Sequence, residues 1–155
     1  MKLTYEKLDM KNAEEVIVLM KTHWWYESTF YEKTQIEFKS EPKHWQAIFN
    51  QVNMIAVGGR NEEGELKSCY CSIVSPYMFN PDINSAACIG WYIDKDYRSP
   101  ETIVQLLNEI DILCTENNVD IYSLSLPDGK HDRLIERLQT KDYFVQDINL
   151  IKVIK

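Results

Sequence analysis

The chain has 155 residues, 45% of them hydrophobic and 26% charged, and carries a net charge of −7 at pH 7. That length and apolar fraction predict one ordinary domain over residues 1–155 with a core of its own, monomeric or homodimeric, and exclude a disordered chain. The acidic balance and the lack of any Lys/Arg cluster exclude a partner held by its phosphate backbone, because nucleic-acid affinity is built mainly on neutralised phosphates.

No stretch reaches the ~18 consecutive apolar residues that a bilayer span needs. The opening MKLTYEKLDMKNAEE lacks the apolar run of a secretory signal, so a cytoplasmic location with no membrane partner is expected. Cys69, Cys71, Cys88 and Cys114 then read as reduced thiols. Cys69 and Cys71 lie two apart in a strand pattern and share one face, which could make half of a metal site. No second Cys/His pair lies nearby, so they read as small core residues and no metal is expected.

In chain order, the alternation in KLTYEKL predicts a first strand over residues 2–8. Ala13, Val16, Ile17, Met20 and Trp24 fall at helical spacing and predict a helix from about Asn12 to the tryptophans. A polar and aromatic connection follows. Ser40 and Pro42 open a second helix whose Trp45, Ile48, Phe49 and Val52 share a face. NMIAVGGR reads as a short apolar strand, NEEGE as a turn and LKSCYCSIVSPYMF as a long strand interrupted at Pro76, the two strands forming a hairpin.

NPDINS reads as the next turn and AACIGWYID as the next strand, which leads into DKDYRSPETIVQLL, Asp94 to Leu107: a strand end, a turn and the start of a helix. That helix carries Ile103, Leu106, Leu107, Ile110, Leu113 and Cys114 on a broad apolar face and ends at ENN. A buried strand VDIYSLSL, a helix around HDRLIERL and a last strand YFVQDINLIKVI complete an α+β pattern. Its order is strand, two helices, three strands, helix, strand, helix, strand.

That order, together with WYIDKDYRSPETIVQLL, resembles the GNAT superfamily of acyl-CoA-dependent N-acyltransferases, matching the family's strand, Asp-x-x-Tyr-Arg turn and helix with a Leu-Leu pair. LIERLQTKDYF is similar to the segment in which the family ends its fourth helix at a Gly-Phe or Gly-Tyr. The element order covers the whole chain and the motifs about residues 86–144. Small members encoded by bacteriophages look most alike, in the aromatic-Glu-Ser run after the first helix and in SPYMFN.

The resemblance implies a single GNAT-like domain: a mixed, mostly antiparallel twisted sheet flanked by about four helices, with the strands around Ile93 and Tyr122 adjacent, parallel and splayed. It also implies acetyl transfer from acetyl-CoA to an amine on a small molecule or a protein. The backbone of Trp91, Tyr92 and Ile93 would pair with the pantetheine arm. The turn and helix start at Arg98, Ser99, Glu101, Thr102 and Ile103 would hold the diphosphate.

Several residues depart from the family pattern, which runs Arg/Gln-x-x-Gly-x-Gly/Ala at this turn. Arg98 keeps its place, but Glu101 stands at the first glycine and Ile103 at the second Gly/Ala. Ser99 is a good N-cap and Pro100 removes a donor at the first helical position. Glu101 favours the helix dipole by roughly 0.3 to 1 kcal/mol and opposes a diphosphate. Weak acetyl-CoA binding is therefore expected.

The family's usual base aligns with Gly90 and its usual acid with Leu138. Tyr92 or Tyr143 could replace the acid, or could be aromatic core. His131 could titrate near neutrality, or be a solvent-exposed loop histidine. In THWWYESTF, Trp24, Trp25, Tyr26 and Glu27 occupy the connection that in the family helps form the acceptor site, and could make an aromatic cleft with a carboxylate for an amine. Alternatively Trp24 continues the helix stripe and Trp25 covers the sheet.

Two functions follow from these residues. One is an N-acyltransferase that works by proximity and by backbone polarisation of the thioester, which the Tyr97–Arg98 match favours. The other is a catalytically degenerate GNAT-fold protein serving as a binding, virion-associated or host-interaction module, which the loss of glycine at the turn favours.

Overall fold

The structure, a computed structural model, describes residues 2–51, 53–126, 132–146 and 152; the side chains of His23, Trp24, Ile48, Phe49 and Gln51 lie outside the description. In order, its elements are β1 (Thr4–Lys7), α1 (Ala13–Leu19) continued by a π-helical segment (Met20–Trp25), α2 (Thr29–Thr34), α3 (Pro42–Gln51), β2 (Asn53–Arg60), β3 (Leu66–Tyr77), β4 (Asn80–Ile93), α4 (Pro100–Glu116), β5 (Ile121–Tyr122) and α5 (Asp132–Gln139). The five strands form one sheet in the order β1-β2-β3-β4-β5. Neighbours are antiparallel from β1 to β4, and β5 runs parallel to β4.

Period-two alternation divides each central strand between two cores. Ile55, Val57, Tyr70 and Ile93 point to one face, where Leu106, Leu107, Ile110, Leu113 and Cys114 of α4 and Leu138 of α5 cover them. Ala56, Cys69, Cys71 and Tyr92 point to the other, beneath Val16 and Leu19 of α1 and Met20. The pair Cys69 and Cys71 is fully buried there, as small core residues. The i, i+3, i+4 stripe read on α4 is the stripe that packs.

Local signals account for the element ends. Asp9 caps the turn into α1, its carboxylate accepting from the Lys11 N–H at 2.7 Å while Asn12 reaches back to the Asp9 N–H. Trp45 of α3 donates to Ser40 Oγ at 2.7 Å, so the serine expected to open this helix lies before it and fixes its aromatic residue. Arg60 on β2 joins three elements: its guanidinium meets both carboxylate oxygens of Glu15 on α1 at 2.7 Å and bonds Glu6 on β1.

Several features differ from the sequence reading. NPDINS is not a turn but the start of β4. The chain reverses instead at Met78 and Phe79, and β3 runs through Pro76. A register irregularity between Pro76 and Tyr77, where Asn84 and then Asn80 are the partners, absorbs both the missing proline donor and the turn-forming residues. The connection after the first helix contains α2, capped by Ser28, whose hydroxyl accepts from the Tyr31 N–H, and ended by Gln35 in the left-handed conformation at φ 54°.

Strand β5 has two residues rather than eight, and neither is fully buried. Residues 143–146 are not in a strand, and most of the remainder of that expected element lies outside the described residues. Among the described residues no helix is long and apolar enough to cross a membrane.

Candidate functional site

Strands β4 and β5 pair only at Ser85↔Ile121 and Ala86↔Tyr122. The Ser123 N–H to Ala86 C=O bond at 3.0 Å is the last backbone bond between them among the described residues. The cause lies in β4. The register passes from Ser72↔Cys88 to Cys71↔Gly90 and leaves Ile89 without a partner, a bulge that bends the strand away from its neighbour. Beyond this point side chains bridge the two segments: Ser123 Oγ accepts from the Cys88 N–H at 3.0 Å, and the Trp91 indole donates to the Ser125 C=O at 2.7 Å.

At the far end of β4, Glu27 meets Tyr92 and Arg98 from 65 and 71 residues away. The Glu27 carboxylate accepts from the Tyr92 hydroxyl at 3.0 Å with one oxygen and from the Arg98 guanidinium at 2.9 Å with the other. Arg98 also donates through Nε to the Ile93 C=O at 2.8 Å, and its guanidinium carbon lies 5.1 Å from the centre of the Tyr92 ring. The π-helical segment, with its wider turn, takes the chain after Leu19 out of the step of α1. Glu27 follows directly and reaches β4.

Burial, reinforced by the bond to the Glu27 carboxylate, pushes the Tyr92 hydroxyl well above the ordinary phenol range, so Tyr92 stays a protonated donor. Burial works against the charge on Arg98, but the Glu27 bond and the Tyr92 contact outweigh it and hold the guanidinium firmly protonated.

The start of α4 uses its own donors. Ser99 Oγ accepts from the Thr102 N–H at 3.1 Å, the Ile103 N–H bonds the Ser99 C=O at 3.1 Å, and Pro100 has no N–H. Glu101 accepts from its own backbone N–H and next from Ser99, which hold its carboxyl below the usual range. The Thr102 C=O accepts from the Tyr5 hydroxyl at 3.1 Å, tying this turn to β1. Beside the turn lies a shallow depression of about 330 Å³ lined by Pro100, Glu101, Val104 and Gln105.

The other residues singled out in the sequence are dispersed. The Trp25 indole donates to the Ile36 C=O at 2.9 Å and its ring packs on Phe30 and Phe38, so it anchors the connection. The Tyr26 hydroxyl donates to Glu37 at 3.3 Å, and its ring meets Tyr31 edge-on at 4.8 Å. Glu27 therefore parts from the two aromatic residues before it. The Trp24 side chain and all of His131 lie outside the described residues.

Tyr143 bonds Tyr122, whose hydroxyl also donates to Asp111 on α4 at 2.8 Å. It packs against the α4 core, whereas Tyr92 belongs to the α1 core, so the two tyrosines are not brought together. Leu138 is buried. At Gly90 a Cβ atom would lie 3.3 Å from Met20 Cε, so a longer side chain there would have to displace the methionine. Ser123 and Ser125, which bridge the gap, were not singled out in the sequence. Their signal was the polar alternation inside YSLSL, which a strand buried on both faces would not carry.

No protein-family model matches the chain, and a search of curated proteins finds no match. Solved structures do match. The chain is similar to an aminoglycoside acetyltransferase from an uncultured soil metagenomic sample, crystallised in complex with sisomicin, at 15% identity and a TM-score of 0.74, over 99% of this chain and 97% of that one. A second aminoglycoside acetyltransferase from such a sample gives 12% and 0.75 over 100% and 99%. A ribosomal-protein-alanine N-acetyltransferase from Brucella melitensis biovar Abortus 2308 gives 14% and 0.67 over 99% and 100%. The sheet order and these likenesses together show that the chain has a GNAT-like fold.

Proposed function

We propose that the protein is an N-acyltransferase that moves an acetyl group from acetyl-CoA to the amine of a small cationic acceptor. The observation that carries this reading is the gap opened by the Ile89 bulge, with the Tyr92 hydroxyl and the Glu27 carboxylate in contact at its β4 end.

The residues fit the cofactor in one part and resist it in another. Along residues 89–93 no described strand covers the outer side of β4, so the backbone of Trp91, Tyr92 and Ile93 suits an extended pantetheine arm. The start of α4 does not offer the usual diphosphate cradle, because its N–H groups are already used and Glu101 adds a like charge. The diphosphate contact therefore falls to Arg98. Acetyl-CoA supplies, when bound, an activated thioester carbonyl.

The chain's own part is to hold the acceptor and manage its proton. Glu27 first takes one proton from the acceptor's ammonium, which leaves a neutral amine with a lone pair. As the new C–N bond forms and the C–S bond breaks, the nitrogen's second proton passes to the departing sulfur to give the thiol, and Tyr92, kept protonated, steadies that sulfur with a hydrogen bond. Tyr143 is engaged with Tyr122 on the opposite face and has no part in this reading. The chain's net charge of −7 supports a cationic acceptor, the class to which the aminoglycosides of the similar soil enzymes belong.

Calorimetric titration with acetyl-CoA tests the reading. Saturable but weak binding is expected, tightened by the double change Glu101→Gly, Ile103→Gly even though each glycine costs about 1 kcal/mol of helix propensity. Sub-micromolar binding that this change weakens would show that the turn already serves the diphosphate as it stands. No binding by either form would leave the non-catalytic binding module as the function.

A further inference from the structure

We infer that Glu27 is an internal stand-in for the cofactor's diphosphate at Arg98: cofactor binding exchanges the carboxylate for phosphate oxygens, and the exchange turns Glu27 toward the acceptor. The inference rests on the acyl-CoA reading above. It grows from one juxtaposition, a carboxylate from the connection after the first helix bonded to the guanidinium at the end of β4, 71 residues away, at 2.9 Å.

The geometry suits an exchange. The side chains of Arg98 and Glu27 are 47% and 42% exposed, so an anion can approach the pair from solvent. Arg98 keeps its bond to the Ile93 C=O at 2.8 Å and its stacking on Tyr92 whichever anion it meets, so the guanidinium stays in position while its partner changes. Glu27 meets Arg98 through one bond only, whereas a diphosphate brings more negative charge and more acceptor oxygens to the planar guanidinium. A half-exposed ion pair is weak enough to be displaced.

Glu27 stays tethered through the Tyr92 hydroxyl at 3.0 Å. On losing Arg98 the carboxylate loses a positive neighbour, and an acceptor ammonium can replace that charge. Cofactor and amine then favour each other's binding, since each relieves the other's competitor. Because the α4 N–H groups are already bonded, the Arg98 contact weighs more in phosphate binding here than it would beside an open helix start.

Calorimetric titration of the full chain with coenzyme A separates the possibilities. Glu27→Gln keeps the shape and the bond to Tyr92 but removes the competing charge, and is expected to tighten binding by roughly two- to fivefold. Arg98→Ala is expected to weaken it at least about tenfold. Glu37→Gln removes the same charge from the same connection without touching Arg98, and should leave affinity unchanged. In the unaltered chain the Glu27 side-chain carboxyl ¹³C resonance should move on saturation with coenzyme A.

If coenzyme A binds and Arg98→Ala weakens it, but Glu27→Gln does not tighten it and the Glu27 resonance stays still, the exchange is wrong and the acyl-CoA reading stands. Equal tightening by Glu37→Gln would reduce the effect to net charge and also overturn the exchange. Absence of coenzyme A binding in both the unaltered chain and Glu27→Gln would overturn the acyl-CoA reading, and the exchange with it.

Discussion

Ser99 shows how much a single hydroxyl decides. By accepting from the Thr102 N–H it closes the helix start that would otherwise face an anion. Ser99→Ala should lower stability by about 1 kcal/mol in urea unfolding; a loss within error would mean the cap carries no weight. The thiols allow a second check. Burial pushes Cys114 up to about 11 and raises Cys88 as well, while Cys71 is fully enclosed. For Cys69 the bond its thiol makes to Cys71, followed by burial, raises the thiol. At pH 8 a thiol reagent should therefore label the native chain far more slowly than the urea-unfolded chain, and rapid native labelling of one equivalent would contradict that burial. At this scale the cap, the proline and the glutamate of the turn were legible because they act within a few residues. The partner of Arg98 was not, since Glu27 lies 71 residues away and no local pattern links the two.

Among the elements, α5 depends on one side chain. Leu138 is its only buried residue among those described, so Leu138→Ala should cost about 2 kcal/mol or more. Hydrogen exchange should show amide protection lost in α5 while β2 and β3 keep theirs. Equal loss in the sheet would mean that α5 and the sheet open together. The joint of β1, β2 and α1 is electrostatic. The bond from Arg60, ahead of any other cause, holds the Glu15 carboxyl below its usual range. A depressed carboxyl stabilises above its unfolded value of about 4.3, and the contribution disappears as pH falls through the lower folded value. Arg60→Ala should therefore flatten the loss of stability on acidification below about pH 5. Because Glu15 is 44% exposed, the effect should stay within about 1 kcal/mol, and an unchanged acid limb would remove Arg60 as its cause. Elements were legible where hydrophobic period and cap agreed, as in α4. NPDINS misled because turn-forming residues can also sit in a strand irregularity, and α2 escaped because its only local sign was the Ser28 cap in an aromatic stretch.

Across the whole molecule, the sheet is a shared wall between two cores, and its central residues feel both. Ile110 is fully buried on α4 against the strands, so Ile110→Ala should lower global stability by about 2 to 5 kcal/mol, shifting the urea midpoint. A cost under about 1 kcal/mol would mean the core collapses around the void. Apart from α2 and the expected last strand, the order of elements was legible at this scale because alternating strand and helix periods allow few sheet topologies. The length of β5 was not, because a bulge in the neighbouring strand, rather than anything in VDIYSLSL, decides where pairing stops. The same bulge leaves the molecule with an edge in its interior. Unpaired strand backbone is a template for any extended segment from another chain, the usual route to edge-to-edge association. Trp91 lies across that edge, its indole held by the Ser125 carbonyl at 2.7 Å. A peptide strand, which carries side chains on both faces and is wider than a pantetheine arm, would have to break this bond and turn out a large ring before it could add to β4, so the tryptophan serves the chain as a guard against self-association.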